Sequence, residues 1–284
     1  MATVLLWSTV ASAFKLSLRH LDPIQLLLFS SIVSLIVLGL ILIVQGKIGL
    51  LFSMTRRQYL TSLGYGVLNP FLYYVILFKA YDLLPAQEAQ PLNYTWAITL
   101  TLLSIPLLKQ RISLKDLIAV VVSYSGVVVI STHGDFSAFH FSSGWGVFLA
   151  LFSTVIWALY WIFNTRDDRD PVAGLFLNFL FGLPFIFATC VIFSSLRVDG
   201  YLGFLGAAYV GVFEMGLTFV LWLQALRLSE NTAKVGTLIF LSPFLSLVFI
   251  HFLVGEEILP STYAGLVLIV CGLLIQRLKR RRAR

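Results

Sequence analysis

Ten long apolar stretches follow one another along this 284-residue chain, and short turn or charged segments separate them. A bilayer core needs about 20 mostly apolar residues per helix, so each stretch predicts one membrane-spanning helix. The predicted spans are Ala2–Leu21, Pro23–Val44, Tyr59–Ala80, Ala86–Leu108, Leu114–Thr132, Gly144–Asn164, Val172–Leu196, Tyr201–Leu226, Thr232–Val254 and Pro260–Gln276. We therefore predict an all-α integral membrane protein with ten transmembrane helices.

The composition argues against the other common classes of protein. Hydrophobic residues make up 59% of the chain and charged residues only 12%, whereas a soluble domain carries about 25% charged residues. A soluble enzyme or a disordered chain does not fit these values. Cys190 and Cys271 both lie inside apolar stretches, so neither a disulfide framework nor a zinc site is expected.

The basic residues divide unevenly between the two sides of the predicted membrane. Sixteen of the 20 Lys and Arg residues fall on the side of both termini, and only Lys15, Arg19, Lys79 and Arg197 fall on the other. Cytoplasmic loops are enriched in Lys and Arg, so both termini are predicted to be cytoplasmic, with the chain in the cell inner (plasma) membrane. The basic tail at residues 277–284 is read as an anchor near anionic lipid, without a nucleic-acid partner.

The two halves of the sequence resemble each other at an offset of about 145 residues. In this alignment Gly126 meets Gly272, and Ala119 meets Gly265. Each half thus carries small residues seven apart on its last predicted helix. Small residues at this spacing share a face on which helix backbones can approach closely.

We divide the chain into a first five-helix repeat at residues 1–135, a second at 143–276, and the tail. An odd number of spans per repeat means that the second repeat enters the membrane from the opposite side. The predicted repeats are therefore inverted, and a pseudo-twofold axis in the membrane plane relates them. This architecture is characteristic of transporters whose substrate site lies near the midplane and opens to each side in turn.

Several stretches carry a resemblance to a known family. They are LLWSTVASAFK (5–15), LFSTVIWALYWIFN (151–164) and ALRLSENTAKVGTLIFLSPFLSLVFIHFLVGEEI (225–258). Over essentially its whole length the chain resembles the drug/metabolite transporter superfamily, EamA branch. The run PLNYTWAI (91–98) is similar to the Asn-Tyr-x-Trp-Pro stretch of bacterial aromatic-amino-acid exporters, although Ala97 replaces the proline. The resemblance implies export of small metabolites, commonly amino acids, with proton exchange as one energy source.

Glu214 is the polar residue that stands out within the predicted spans. It lies near the middle of the eighth span, where a charged carboxylate costs roughly 2.5–3.5 kcal/mol. At the offset of 145 it aligns with Asn69 in the third span, so both repeats place a polar side chain at matching depth. Two interpretations remain open: Glu214 binds substrate or couples transport to protons, or it is a neutral, hydrogen-bonded structural carboxyl.

Aromatic side chains are the other candidates for a substrate site. Trp and Tyr can stack on an aromatic or cationic ligand while donating N–H or O–H hydrogen bonds. An aromatic belt at the membrane surface, or ordinary helix packing, is the alternative for each of them. With Glu214 and Asn69, the predicted substrate-binding residues are Tyr73, Tyr94, Trp96, Trp157, Tyr160 and Trp222.

Lys79 and Glu88 lie near the outer ends of adjacent spans and are predicted to pair, as an outer gate or as an ordinary surface ion pair. Glu256 and Glu257 are expected to be solvated. Pro70 lies within the third span, where it can kink the helix. The sequence holds no HExxH, no P-loop and no GxGxxG that opens a helix, so we expect neither an enzyme nor a metal or other cofactor.

The leading hypothesis is a secondary transporter that exports small metabolites, amino acids and aromatic ones among them, by alternating access, with proton coupling as one option for its energy source. A multidrug or organic-cation exporter is the first alternative. A non-transporting membrane scaffold or an intramembrane enzyme is the second. The expected partners are a small-molecule substrate and the lipid bilayer, and the sequence leaves open whether a proton takes part and whether two copies form a homodimer.

Overall fold

A computed structural model of the chain describes residues 2–108, 114–135, 142–164, 167–198, 200–228 and 241–277, and the regular structure in these ranges is all helical. The helices are α1 (Ala2–Ser17), α2 (Pro23–Val44), α3 (Arg56–Gly66), α4 (Tyr73–Leu83), α5 (Ala86–Tyr94), α6 (Trp96–Leu108), α7 (Leu114–Ser131), α8 (Gly144–Asn164), α9 (Pro171–Phe193), α10 (Tyr201–Phe213), α11 (Leu217–Leu228), α12 (Ser242–Phe249) and α13 (Pro260–Arg277). A tight 3-10 helix occupies Ile48–Phe52, and wide π-helical turns occupy Val67–Leu72 and Ile250–Val254. The predicted all-α class is confirmed.

Five helical stretches in these ranges are long and apolar enough to cross a membrane, and the second and fifth of them contain the breaks described below. They are Pro23–Val44, Arg56–Leu83, Gly144–Asn164, Pro171–Phe193 and Tyr201–Trp222. Shorter apolar helices lie at Ala2–Ser17, Leu117–Ser131, Ser242–Val254 and Pro260–Ile275. Residues 232–240 of the predicted ninth span lie outside the described residues.

The outer surface of the helix bundle is apolar. On α2, Ile36, Leu40 and Ile43 are each more than half exposed. A contiguous apolar surface of this kind is unfavourable in water and favourable against lipid chains. Together with the apolar helices, this surface makes the chain a multi-pass membrane protein.

Turn signals in the sequence set the starts of several helices. The Asp22 carboxylate accepts hydrogen bonds from the backbone N–H groups of Ile24 and Gln25, and the Asp22 N–H donates to the Gln25 side-chain oxygen. Proline at the first helical position of α2 then supplies a suitable φ angle. At the start of α9 the Asp170 carboxylate likewise accepts from two backbone N–H groups, and Pro171 takes the first helical position. These ends agree with the predicted break points.

Asp170 also connects α9 to the loop that follows α2. The Lys47 Nζ donates to Asp170 Oδ2 at 2.8 Å. Burial works to raise the pKa of Asp170, but the Lys47 ammonium and the Ala173 and Val172 N–H groups outweigh it, so the pKa lies below its ordinary value. This contact ties the 1–135 half to the 143–276 half at one end of the bundle.

The predicted third span is not a continuous helix. The chain leaves helical geometry at Asn69 (φ −148°, ψ 119°), and Pro70 follows. Proline lacks the N–H that would continue the ladder and its ring clashes with the preceding turn, so the helix breaks here. The sequence-based expectation of one helix over 59–80 is corrected to α3, a wide turn and α4.

The predicted eighth span is broken as well, at residues that contain no proline. Between α10 and α11 the Met215 N–H donates five residues back, to the Val210 carbonyl at 3.1 Å. The Thr218 hydroxyl donates to the Phe213 carbonyl, which the interrupted backbone leaves without its usual partner. Glu214, at the C-terminal end of α10, therefore sits at a helix break, as does its aligned counterpart Asn69.

The last helices of the two halves, α7 and α13, pack against each other. A Cβ on Gly265 would lie 2.6 Å from the Gly126 carbonyl oxygen, and a Cβ on Gly272 would lie 2.6 Å from that of Ala119. The later residue of α7, Gly126, meets the earlier residue of α13, Gly265, and Ala119 meets Gly272. The two helices are therefore antiparallel. The predicted close approach through small residues is confirmed.

The remaining helices form a bundle around one interior. The contacts are α1 with α10 and α12; α2 with α9 and α10; α3 and the 67–72 turn with α9; and α8 with α4, α5 and α6. Close packing on the third span uses glycine, since a Cβ on Gly182 would lie 2.8 Å from the Gly66 carbonyl oxygen and 3.0 Å from Pro70 Cδ. As a result α9 covers the break at Asn69.

Candidate functional site

A cavity lies inside the bundle, between helices of the 1–135 half and helices of the 143–276 half. It contains about 640 Å³ of empty space, including the part that is open to the surroundings. Its lining residues are Trp7, Val10, Phe14, Tyr73, Leu77, Tyr81, Gln90, Asn93, Tyr94, Trp96, Trp157, Trp161, Glu214 and Trp222. Ligand sites are typically concave, mostly apolar and supplied with a few placed polar groups, and this cavity has that composition.

Glu214 is the one charged residue among those that line the cavity in the described part of the chain. Its side chain is 9% exposed. Tyr74 donates its hydroxyl hydrogen to Glu214 Oε1 at 3.0 Å, and the Trp7 indole lies beside the carboxyl. Glu214 Oε2 has no hydrogen-bond partner among the described residues. A buried carboxyl oxygen of this kind can accept a hydrogen bond from an ammonium group or hold a proton.

Two groups of aromatic rings line the cavity together with Glu214. In one group Trp157 stacks on Tyr73, with ring centroids 4.5 Å apart and an interplanar angle of 26°. In the other group the ring centroids of Trp7 and Trp222 lie 5.4 Å apart. Phe219 touches both Trp7 and Trp157 by its edge, and so joins the two groups of rings. The cavity walls are therefore rigid, apolar surfaces on which a planar or cationic group can stack.

Six of the eight predicted substrate-binding residues line this cavity: Glu214, Tyr73, Tyr94, Trp96, Trp157 and Trp222. Trp157 is 7% exposed, so it does not belong to a belt on the membrane-facing surface. Polar groups lie at hydrogen-bonding distance from these rings. The Asn93 amide donates to Ser153 Oγ at 3.2 Å and to the Tyr73 hydroxyl at 3.4 Å.

Asn69 and Tyr160 are not among the cavity-lining residues. Asn69 is fully buried at the break that α9 covers. Tyr160 is buried behind Trp157, where its hydroxyl accepts a hydrogen bond from the Asn178 amide at 3.3 Å. The expectation that Asn69 and Glu214 occupy equivalent places at one site is thus not met. Each of the two residues lies at a helix break in its own predicted span, but only Glu214 lines the cavity.

Several polar and aromatic residues at the site were absent from the predicted set, namely Trp7, Tyr74, Tyr81, Gln90, Asn93 and Trp161. Trp161 follows Trp157 by four residues and Asn93 follows Gln90 by three, so helical spacing is a signal that could have found both. Tyr74 has no such signal, because it stands next to Tyr73 on a different face of α4 and reaches Glu214 only through tertiary packing.

The predicted Lys79–Glu88 pair is not formed. Lys79 Nζ instead binds Asp82 Oδ2 at 2.6 Å, three residues along α4. Glu88 is buried, and its Oε1 accepts from Ser142 Oγ at 2.7 Å and lies 2.8 Å from His133 Nε2. The partners of Glu88 come from the segment after α7, which the spacing of charges along two adjacent spans could not reveal.

Polar contacts close the end of the cavity nearest to Tyr81 and Gln90. The Glu256 carboxylate accepts from the N–H groups of Ala86 at 2.8 Å and Gln87 at 3.1 Å, at the start of α5. The prediction that Glu256 is solvated is therefore wrong. A carboxylate at this position satisfies orphan donors and complements the positive end of the helix dipole.

Lys15 and Gln87 add to this closure. The Lys15 ammonium donates to the carbonyls of Tyr81 at 2.7 Å and Leu84 at 2.8 Å, at the end of α4. The Gln87 side chain donates to the Glu257 carbonyl at 2.7 Å and accepts from the Leu259 N–H at 2.9 Å. Contacts from residues 256–259 thus hold the first half of the chain to the second at this end.

Comparison with known proteins shows which family this arrangement belongs to. The sequence model of the EamA-like transporter family matches the chain twice, at residues 1–132 and 144–277. Similar proteins include an uncharacterized transporter of Archaeoglobus fulgidus, 23% identical over 98% of this chain and 97% of its own length. Another is the uncharacterized transporter YvbV of Bacillus subtilis (strain 168), 25% identical over 97% of this chain and 89% of its own length.

The fold is also found among solved structures. A crystal structure superposes with a TM-score of 0.69 over 98% of this chain and 94% of its own chain, at 21% sequence identity. This likeness concerns the fold alone. Because the family model covers nearly the whole chain, the expected resemblance is confirmed, and the protein belongs to the EamA-like transporter family.

Proposed function

We propose that this membrane transporter exports small metabolites, in particular amino acids that include aromatic ones, by alternating access across the cell inner membrane. The observation that carries the proposal is the interior cavity, whose described lining holds one carboxyl, Glu214, together with two groups of aromatic rings. It is a site for a small molecule that has a cationic group and an apolar or aromatic body.

The amino-acid assignment rests on the pairing of chemical groups. The free Oε2 of Glu214 can accept from a substrate ammonium, while Trp157 and Tyr94 offer surfaces for an apolar or aromatic side chain. The side-chain amide of Gln90 lines the same cavity, and its N–H groups suit a carboxylate. In a site shielded from water such polar contacts discriminate strongly, because an unpaired polar group there costs about 1–3 kcal/mol.

Alternating access follows from the proposed architecture of ten spans in two inverted repeats, at 1–135 and 143–276. The two segments that match the family model nearly coincide with these repeats. The helix contacts also fall into matching sets, since α2 packs on α10 as α9 packs on α3, and α1 packs on α12 as α8 packs on α5. If the halves exchange conformations, the cavity closes at one end and opens at the other.

Proton coupling is part of the proposal and is assigned to Glu214. A carboxyl in the interior is costly when charged and unpaired, so it is neutral when protonated or is paired with a bound cation. Substrate ammonium and proton then compete for the same oxygen atoms. In this scheme each turnover moves a substrate molecule out and a proton in through the same carboxyl, so the inward proton gradient drives export.

An organic-cation exporter is the second candidate, and one observation favours it. Glu214 is the one charged group on the cavity wall within the described residues, and aromatic faces surround it, which suits a quaternary or aromatic cation without a carboxylate. The two candidates differ in whether the substrate has a carboxylate that the Gln90 amide can bind.

The test is solute flux with purified full-length protein in sealed proteoliposomes. We expect accelerated movement of labelled phenylalanine or another amino acid when an opposing proton gradient is imposed, and competition by other amino acids. Movement of a tetraalkylammonium ion that amino acids do not inhibit would replace the amino-acid proposal with the organic-cation one. Absence of flux for both classes in vesicles that retain folded protein would contradict either form of the proposal.

A further inference from the structure

A second cavity lies on the lipid-facing side of the molecule, between α1 and α10. It contains about 1000 Å³ of empty space, including the part open to the surroundings. Helix α1 separates it from the substrate cavity: Trp7, Val10 and Phe14 face the substrate cavity, whereas Thr9, Ala13 and Leu16 face the second one. No described residue lines both cavities, so this groove is a distinct site.

The length of the groove matches one leaflet of a bilayer. It extends along α1 from Thr9 to Arg19, which is roughly 15 Å at the rise of an α-helix. One half of the hydrocarbon core of a membrane is also about 15 Å thick. At the inner end the Thr9 and Tyr209 hydroxyls lie 2.6 Å apart and close the groove. The groove thus begins near the membrane surface and ends near its middle.

The chemistry of the groove changes along its length. Leu16, Leu202, Leu205 and Leu253 supply an apolar wall, and Arg19 and His20 lie at the open end. The Arg19 guanidinium donates to the Val254 carbonyl at 2.7 Å. A guanidinium has five N–H donors, so this bond leaves Arg19 able to bind an anion as well. The groove therefore combines an acyl-chain slot with a cationic mouth.

A further polar group inside the groove lacks a partner. Ser12 lines the cavity and is 1% exposed, and its hydroxyl has no hydrogen-bond partner among the described residues. Buried hydroxyl groups are normally hydrogen-bonded. A ligand with an acceptor oxygen below its charged group would satisfy this hydroxyl.

We propose that the α1–α10 groove binds one anionic phospholipid, with an acyl chain along the leucine wall and the phosphate at Arg19 and His20. The inference does not depend on the transported substrate, because it concerns a different face of α1. It assigns Arg19 a role as a lipid ligand at a mouth where α10 and residues 253–254 meet α1.

The test is native mass spectrometry of the full-length protein with phosphatidylglycerol and phosphatidylcholine of identical acyl chains. We expect one phosphatidylglycerol to be retained in preference to phosphatidylcholine. Arg19→Gln should lower this preference about fivefold, the ratio that corresponds to about 1 kcal/mol for one basic residue near a membrane surface. Arg19→Lys keeps the charge and should preserve the preference. Arg197→Gln removes an exposed arginine at the same end that does not line the groove, and it should leave the preference between the two lipids unchanged.

A second pair of variants tests the acyl-chain slot. Leu205→Trp fills the groove and should reduce binding of both lipids, whereas Leu40→Trp places the same bulk on an exposed part of α2 and should not. Equal retention of the two lipids, or equal effects of Arg19→Gln and Arg197→Gln, would overturn the proposal. So would a dimeric mass that Leu205→Trp converts to monomer, because a second copy would then occupy the groove.

Discussion

Tyr74 and Glu214, 140 residues apart, share a hydrogen bond of 3.0 Å at the wall of the substrate cavity. Tyr74 lies just beyond the break in the third predicted span, and Glu214 lies at the break in the eighth. The bond therefore joins the two interrupted elements. In the proposed alternating-access mechanism, movement of one half of the chain against the other changes or breaks this contact.

Glu214→Gln should abolish flux that a proton gradient drives while leaving exchange of substrate across the membrane. Glutamine keeps the shape of the side chain and an acceptor for the Tyr74 hydroxyl, but it cannot release a proton. The measurement is uptake in proteoliposomes with and without an imposed gradient. Driven flux equal to that of the unaltered protein would remove Glu214 from the coupling step.

Tyr94→Ala should weaken substrate binding about tenfold, because loss of an aromatic contact of this kind is worth about 1–1.5 kcal/mol. Tyr94 lines the cavity and is only half-buried, so its removal should change thermal stability less than it changes affinity. The control is Tyr263→Ala, an exposed tyrosine on α13. Affinity is measured by substrate-induced shifts in Tm, and equal affinity losses in the two variants would contradict an aromatic-lined site.

Glu256→Ala should destabilise the closed end of the cavity by about 1 kcal/mol, the usual cost of losing a helix-capping acceptor. Its neighbour provides a matched control, because the Glu257 side chain is exposed and contributes only its backbone carbonyl to the contact with Gln87. Glu257→Ala should leave the Tm unchanged. The role assigned to Glu256 fails if the two alanine variants unfold at the same temperature.

Gly272→Ala should destabilise the protein by about 1–3 kcal/mol, because the new methyl group would collide with Ser123 and with the Ala119 carbonyl on α7. Gly64→Ala provides the comparison within a helix, since a Cβ there meets nothing within 4 Å. That substitution should be neutral or stabilising by up to about 1 kcal/mol through helix propensity. Thermal unfolding in detergent distinguishes the two variants. Similar shifts in Tm for both would mean that α7 and α13 are not closely packed.

Asp170→Asn should lower thermal stability at neutral pH, and the difference from the unaltered protein should vanish as the medium becomes acidic. The pKa of Asp170 is lower in the folded chain than in the unfolded one, so its contribution is complete above the unfolded pKa of about 4. The contribution is lost as the pH falls through the lower, folded pKa. Asparagine is itself a good N-cap, so the variant removes the Lys47 ion pair while keeping the helix start.

The control for Asp170 is Asp168→Asn, which removes an exposed carboxylate from the same loop. Its Tm should match that of the unaltered protein at each pH tested. A stability loss in Asp170→Asn that persists undiminished in acid would contradict the ion-pair explanation.

The sequence by itself determined the class of protein, the starts of several helices and the small-residue face on the last helix of each half. These features depend on local composition and on residue spacing along one helix, as Asp22-Pro23 and the seven-residue spacing of Ala119 and Gly126 illustrate. It also identified six residues of the cavity, because helical periodicity places side chains on a common face. That periodicity shows which side chains share a face of one helix, but it does not show which other helix that face contacts.

Only the tertiary structure decided which neighbour each face meets. It placed α9 over the break at Asn69 through the Gly66–Gly182 approach, and it left the aligned break at Glu214 open to the cavity. It also pairs the Glu88 side chain with His133 instead of Lys79, and the Tyr74 hydroxyl with Glu214. Such pairings arise from contacts between residues far apart in the chain, where packing and hydrogen-bond satisfaction, rather than spacing, select the partner.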